Sequence, residues 1–365
     1  MPSDTHPVQT LSHRLVAPLA ATLLGLAASL SAQADPLSDR FDLHGYGYQS
    51  YMQTTSNTYY GADPRGNWDN NFLGLVMTAT LTDQSKVWAQ LQGSGNQGND
   101  LTWFFIDYQL NNAVRLHAGR VKLPLGFYNE IIDAKSLHLS TLEPSLYQTY
   151  KIGPDMVHDA YHGGGIDIEQ DIAGGHVLWQ AWAGNVYDTD PPDDSRDRRA
   201  WGGRITYNTP VDGLTLMLSA YRTRVEILAD KAMTNEDRAI ASIGYTRDNW
   251  DLKAEYAWHK SALHAAGDNI IGIAWYVQGG YTVGAWTPFV RYDDLTMDQT
   301  QRADPSYRQR TLALGLGYQV APNIGLRIEN HVNRGYAASV ASGETVAGAG
   351  ERRWNMFVAA VNFKF

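Results

Sequence analysis

From Phe41 to its C-terminus, the chain consists of short segments in which apolar and polar residues alternate. The segment 251–259, for example, places Leu252 and Tyr256 on one face and Lys253 and Glu255 on the other. Successive side chains of a β-strand point to opposite faces, so a period of two predicts amphipathic strands, and helical periodicity is almost absent. Such a chain must cover the apolar faces of its sheets with another sheet or with lipid.

The connections between these segments alternate strictly between short and long. Seven are tight turns rich in the Gly, Asn, Asp or Pro that turn geometry favours, at 82–84, 111–112, 173–175, 210–213, 247–249, 283–285 and 321–323. Eight are longer polar loops, at 54–70, 93–100, 123–162, 187–200, 227–236, 262–269, 296–307 and 337–352. This order predicts sixteen strands with both termini on one side, which is typical of an antiparallel β-barrel in an outer membrane.

The N-terminus predicts export. His13 and Arg14 precede an apolar run at 15–30 and the small residues Ala32 and Ala34, which together indicate a signal peptide over 1–34. The barrel domain is then expected over 35–365, where no later stretch approaches the roughly 18 consecutive apolar residues of a transmembrane helix. Eleven Trp and twenty-one Tyr suit aromatic girdles, while a net charge of −9 without a basic stripe argues against nucleic acid as a partner.

Two short runs resemble a known family. The last strand, Arg353 to Phe365, ends on an aromatic face and resembles the C-terminal strand of bacterial outer-membrane proteins, whose terminal Phe is read by the barrel-assembly machinery. The run 119–130, GRVKLPLGFYNE, is similar to the segment of sixteen-stranded proteobacterial porins in which the fifth strand leads into an inward-folding third loop. Within that superfamily, the run resembles the phosphate-selective porins.

The resemblance implies a fold, a location and a function. We expect an all-β transmembrane barrel of about sixteen strands, with its third long loop folded inward. It implies a homotrimer in the outer membrane of a Gram-negative bacterium, in contact with membrane lipid and lipopolysaccharide. The expected function is passive diffusion of small hydrophilic solutes and ions through a water-filled channel.

Charged side chains set the selectivity of such a pore. The connection 123–162 is too long for an ordinary loop, and its apolar content favours packing against the barrel wall. The resemblance implies that acids of this loop line a constriction: Glu130, Asp133, Glu143, Asp155 and Asp159. Strand alternation predicts a set of charged residues on the lumen wall, and it includes Arg120 and Lys122 on the expectation of a register shift before Arg120. The predicted wall residues are Arg115, His117, Arg120, Lys122, Arg238, Lys253, Arg291, Arg327, Asp107, Glu255 and Glu329. A position of the loop outside the barrel, as a lid or trimer contact, is the alternative.

Other functions have weaker support. The run 93–98 matches a dinucleotide-binding fingerprint, but another strand follows it instead of a helix. His138 and Ser140 lack a third group that would orient the histidine, so nucleophilic catalysis is unsupported. We therefore expect no enzyme, no cofactor and no metal, although the acidic stretch 188–194 is a candidate for calcium. The alternative functions are a secreted β-rich carbohydrate-binding module and an outer-membrane barrel enzyme, and the mixed wall charges leave anion preference, cation preference and no preference open.

Overall fold

The computed structural model describes residues 40–94, 98–148, 157–187, 195–227, 233–262, 269–338 and 350–365, and the predicted signal peptide lies outside these ranges. The strands are β1 (Phe41–Thr54), β2 (Asn71–Thr82), β3 (Ser85–Ser94), β4 (Gly98–Asn111), β5 (Val114–Lys122), β6 (Ala160–Ile172), β7 (Gly175–Tyr187), β8 (Ser195–Asn208), β9 (Leu214–Ile227), β10 (Met233–Arg247), β11 (Trp250–Ala262), β12 (Asn269–Tyr281), β13 (Trp286–Thr296), β14 (Arg308–Ala321), β15 (Ile324–Gly335) and β16 (Arg353–Lys364). Short 3₁₀ turns occur at Asn129–Ile131, Lys135–Leu137, Ser145–Tyr147 and Gln299–Gln301. No helix in this part of the chain is long and apolar enough to cross a membrane.

The sixteen strands form one closed antiparallel barrel, in which each strand pairs with its neighbours in sequence and β1 pairs with β16. The predicted strand number and all seven predicted turns are confirmed. Several long loops are shorter than expected, because strand pairing extends further along the chain than predicted. Pairing of β3 with β4 extends to Ser94 and Gly98, for example, and β10 reaches 15 residues.

The outside of the barrel is apolar and the inside is polar. Leu314, Ile328 and Val277 project outward and are 49%, 53% and 53% exposed. Because an apolar surface of this extent requires lipid around it, the barrel spans a membrane, and a soluble secreted module does not fit this exterior. Closed barrels of this kind lie in the outer membrane of Gram-negative bacteria.

Aromatic pairs mark the end of the barrel that carries the short turns. The Trp250 and Tyr281 rings lie 4.5 Å apart, and those of Trp286 and Tyr318 lie 4.4 Å apart. These amphipathic rings suit the boundary between lipid and water. The pairs therefore form part of an aromatic girdle on the periplasmic side.

The C-terminus closes the barrel against the first strand. The backbone N–H groups of Gly45 and Phe365 each donate to the other residue's carbonyl over 2.8 Å. The Phe365 ring lies directly over Gly45, where a Cβ atom would come within 2.1 Å of it. Pairing here leaves no strand edge in lipid, where unpaired backbone groups are costly.

Candidate functional site

The long connection between β5 and β6, residues 123–159, is here called the inner loop, and its described parts are 123–148 and 157–159. It lies inside the barrel, where Leu123, Leu125, Leu142 and Leu146 are almost fully buried. Its hydrogen bonds reach wall strands far along the chain, including β9, β11, β12, β13 and β15. The predicted inward fold is confirmed, and the alternative of an external lid is wrong.

The first anchor of the inner loop is Glu255 of β11. Its carboxylate accepts from the Phe127 N–H at 2.9 Å and from the Tyr147 hydroxyl at 2.7 Å, both in the loop. Ser242 and Tyr276 of the wall donate to the same carboxylate at 2.6 and 2.8 Å. A carboxylate that is only 3% exposed needs such partners, so Glu255 joins the loop to three strands of the wall.

Gly126 lets the loop approach this wall. Its φ of +49° lies in the left-handed region, and a Cβ atom there would come within 2.2 Å of the Glu255 carboxylate. Its N–H donates to the Ser219 hydroxyl at 3.2 Å, and its carbonyl accepts from Arg204 at 3.2 Å. Gly126 of the porin-like run 119–130 is therefore required by backbone conformation and by space.

The second anchor is an ion pair on β13. The Arg291 Nε donates to Asp293 at 2.8 Å, and the other guanidinium nitrogens donate to the carbonyls of Leu142 and Glu143 at 2.7 and 3.2 Å. Asp293 in turn accepts from the Ser145 N–H at 3.0 Å. Both charged residues are about 2% exposed or less, so the inner loop completes the hydrogen bonding of a buried pair.

The third anchor lies on β15. Glu329 accepts from the Ser140 hydroxyl and from the Thr141 N–H, each at 2.6 Å. Arg327 donates to the carbonyl oxygens of Lys135, at 2.6 Å, and of His138. Both wall residues were predicted to face the lumen, and both bind the inner loop there.

The loop acids also bind basic partners. Glu143 accepts from Lys135 at 2.5 Å and from the Tyr60 hydroxyl. Burial by itself raises the pKa of Glu143, but the Lys135 ammonium and the Tyr60 hydroxyl hold this pKa below its ordinary value. Lys122 binds Asp133 at 3.2 Å and also binds Asp159.

Glu130 has the most exposed carboxylate among the described loop acids. It pairs with Arg204 at 2.5 Å, yet its side chain is 42% exposed, compared with 21% for Asp133 and Asp159. It also interacts electrostatically with His117 and Tyr161 on the wall. Asp155, the remaining predicted loop acid, lies outside the described residues.

Other predicted wall residues face the lumen next to charged neighbours. On β5, Arg115 lies 3.3 Å from Asp167, and His117 forms a 2.6 Å hydrogen bond with Tyr161. Three further predicted residues have these positions: Asp107 lies opposite His117, Lys253 lies 2.9 Å from Asp251, and Arg238 lies 2.6 Å from Glu236. Charges of both signs are therefore mixed along this wall.

Arg120 departs from the predicted position. It lies opposite the outward-facing Phe104 and His162, and its guanidinium lies over the Phe104 ring at 5.9 Å. The expected register shift is absent, because β5 pairs with β6 without interruption from Val114 to Lys122. Arg120 therefore stays on the outward face, whereas Lys122 reaches the loop acids where β5 ends.

Neutral residues also hold the inner loop, and the charge pattern did not single them out. The Tyr128 hydroxyl bonds to Gln278 of β12 at 2.9 Å, and Ser219 of β9 accepts from Gly126. Alternation assigns Ser219 and Gln278 to the lumen face, so a search for uncharged polar residues there would have found both. Tyr60 lies in the first loop, where no periodic pattern indicates a partner.

No family model matches the chain, and no curated protein matches it in sequence. Solved structures match its fold. An anion-selective porin from Comamonas acidovorans has a TM-score of 0.62 at 15% identity, covering 89% of this chain and 99% of that one. OmpT of Vibrio cholerae has a TM-score of 0.60 at 13% identity, covering 91% and 99%. The outer-membrane channel DcaP of Acinetobacter baumannii has a TM-score of 0.60 at 11% identity, covering 89% and 97%. The chain thus has the fold of sixteen-stranded outer-membrane porins.

Proposed function

We propose that this protein is an outer-membrane porin through which small hydrophilic solutes and ions diffuse passively. The observation that carries the proposal is the inner loop, which is bonded within the lumen by Glu255, Arg291 and Glu329. A loop held in one position by these hydrogen bonds narrows a water-filled barrel, and no conformational change is needed for solutes to pass. Passive diffusion requires no catalytic group, and we propose no enzymatic activity.

The water passage, in this proposal, runs between Glu130 and the inner faces of β4, β5 and β6. Among the described loop acids, Glu130 is the most open to water, and its charge acts on His117 of the wall. Arg115 and Asp167 contribute opposite charges on the same wall. Mixed charges of this kind give weak ion selectivity, because neighbouring charges of opposite sign cancel over distance.

A phosphate-selective pore is the more specific possibility that the run 119–130 suggests. Anion selectivity needs several free cations around the constriction. Lys122 is bonded to Asp133 and Asp159, and Arg204 is bonded to Glu130. We therefore favour a general pore over one dedicated to phosphate.

We further propose a homotrimer, as in a trimer form described for OmpT of Vibrio cholerae. Insertion of such an assembly opens its channels together. The conductance of one insertion event should therefore divide into three equal closing steps at high voltage. Insertion events that each close in a single step would contradict the trimer, but they would not contradict the proposed pore.

Swelling of liposomes that contain the purified, folded protein tests the pore directly. Vesicles placed in isotonic arabinose should swell quickly, and vesicles placed in the tetrasaccharide stachyose should swell slowly, because the inner loop narrows the lumen. Vesicles without protein provide the baseline. Swelling at the baseline rate in every sugar would contradict the proposed function.

A further inference from the structure

Three aromatic side chains on β3 and β4 form a group that faces the lumen. The ring centroids of Trp88 and Phe105 lie 6.3 Å apart with 13° between the ring planes, and the Trp103 ring lies 5.7 Å from that of Phe105. Phe104 and Ile106 alternate with them on β4 and are 45% and 40% exposed on the outer surface. Because neighbouring residues of a strand point to opposite faces, Trp103 and Phe105 face inward, as does Trp88 directly opposite Phe105. These three inward-facing residues are here called the aromatic platform.

The platform lies next to the point where the inner loop meets this wall. Gln90 is directly opposite Trp103, and its amide donates to Asp133 of the inner loop at 3.2 Å. Trp88 comes two residues earlier on β3, nearer the tight turn 82–84 that precedes this strand. The platform therefore begins at the level of the constriction and continues toward the periplasmic end of the pore.

The platform is open to the water passage on its β5 side. Gly119 lies directly opposite Phe105, and Gly163 lies directly opposite Gly119. Gly119 has a φ of +143°, and a Cβ atom there would come within 2.9 Å of the Phe105 Cβ, so both conformation and space favour glycine. All three platform residues are partly exposed, whereas Tyr161 and Trp182 further along the wall are buried. A solute in the passage can therefore reach the platform rings.

Polar side chains of opposite charge border the platform. Lys86 lies directly opposite Asp107, and both are on the lumen face two residues from a platform ring. Arg115 lies 3.3 Å from Asp167 on the adjoining wall, and its side chain is 38% exposed. Because each cation has an acid beside it, their charges largely cancel over distance. The wall thus offers aromatic faces and hydrogen-bonding groups without favouring a charged solute.

Resting on the proposed pore function, we propose that the aromatic platform is a binding site for neutral saccharides. The face of a pyranose ring carries C–H groups, which are apolar and slightly positive, whereas the face of an aromatic ring is slightly negative. A sugar stacked on the platform keeps the hydroxyl groups at its edge free to bond with Asp107 and Arg115. Aromatic side chains with a few polar groups beside them are typical of sites for small molecules.

Such a site changes how the sugar passes through the pore. A solute must bind favourably enough to enter a constriction and weakly enough to leave it. Stacking on two or three rings raises the local concentration of the sugar at the constriction and still releases it. Occupancy of the platform therefore saturates as the sugar concentration rises, whereas the number of freely diffusing molecules in a pore stays proportional to concentration.

Current block by a neutral trisaccharide tests the proposal in planar bilayers that contain the purified full-length protein. Maltotriose should reduce the ion current with a saturable dependence on its concentration, and polyethylene glycol of matched hydrodynamic radius should show no saturation. The test variants are F105A and W88A/F105A, and the matched control is F104A, which shortens the adjacent side chain on the lipid face. We expect the half-saturating concentration to rise about fivefold in F105A and about tenfold or more in W88A/F105A, and to stay within about twofold in F104A. The single variant provides the test if the double variant folds poorly.

Saturation-transfer NMR of the detergent-solubilised protein measures binding separately from conduction. Signal transfer to maltotriose should fall in F105A and remain unchanged in F104A. Conduction without saturable block by maltotriose, or equal block of F105A and the original protein, would overturn the saccharide site but would not contradict the proposed pore. A protein that never conducts, yet transfers signal to maltotriose in an F105-dependent manner, would contradict the pore and support the site. Tighter binding of benzoate than of maltotriose at the platform would overturn the assignment to saccharides.

Discussion

Replacing Arg291 by alanine tests the role of the inner loop most sharply. The change removes two hydrogen bonds to loop carbonyls, at 2.7 and 3.2 Å, and leaves the buried carboxylate of Asp293 without its cation. A hydrogen bond to a charged group contributes about 1.5–3 kcal/mol. The loss of two such bonds therefore reduces the free energy that favours the bound position of the inner loop by about 3 kcal/mol or more. Since about 1.4 kcal/mol is a factor of ten, the displaced loop becomes on the order of 100-fold more populated.

Single-channel recording measures that population. Arg291→Ala should show larger and noisier open-channel currents than the original protein, because the inner loop leaves its position more often. The control is Arg115→Ala, since Arg115 pairs with Asp167 of β6 and not with the loop. Its currents should remain quiet. A folded Arg291→Ala protein with unchanged conductance and noise would refute the idea that this anchor holds the constriction.

Four further changes extend these predictions. Gly126→Ala should loosen the loop by about 1–3 kcal/mol, because its φ of +49° is strained for alanine, and proteolysis of the loop should speed up accordingly. Deleting Phe365 should lower the yield of heat-resistant folded barrel in gel-shift assays, because two backbone hydrogen bonds to β1 are lost. The pKa of Glu143 is lowered in the folded protein, so this carboxylate stabilises the loop fully above its ordinary pKa and loses that effect only as the pH falls through the lower folded pKa. Channel noise should therefore stay constant from neutral pH to about 5 and rise in stronger acid. The Glu143→Gln variant should be noisy at every pH. Glu130→Gln should shift the reversal potential toward anions, whereas Arg120→Ala should leave it unchanged, since that side chain faces outward.

Alternation and turn composition were sufficient to predict the barrel. A strand in such a wall must place apolar residues toward lipid, so the pattern over 251–259 directly gives the lumen face of β11. The same rule assigned Arg291, Arg327 and Glu329 to the lumen. At Arg120 the prediction departed from strict alternation by assuming a register shift, and that shift does not occur in β5.

The contacts of the inner loop were not predictable from the sequence. Ser140 and Glu329 are 189 residues apart in the chain, and no local pattern connects them. Sequence analysis therefore suggested only that the loop acids line a constriction opposite a wall of mixed charges. The structure instead has many of these charges bonded to each other, because a charge at a buried position must be paired or hydrogen-bonded.

Planar-bilayer recording of the unmodified protein tests the central claim most directly. The protein should insert from detergent and produce discrete, stable current steps whose size rises with salt concentration, as expected for a water-filled pore with weak ion selectivity. Heat-denatured protein is the control and should produce no steps. Folded, membrane-inserted protein that never conducts would contradict the claim that the lumen beside the inner loop is an open channel.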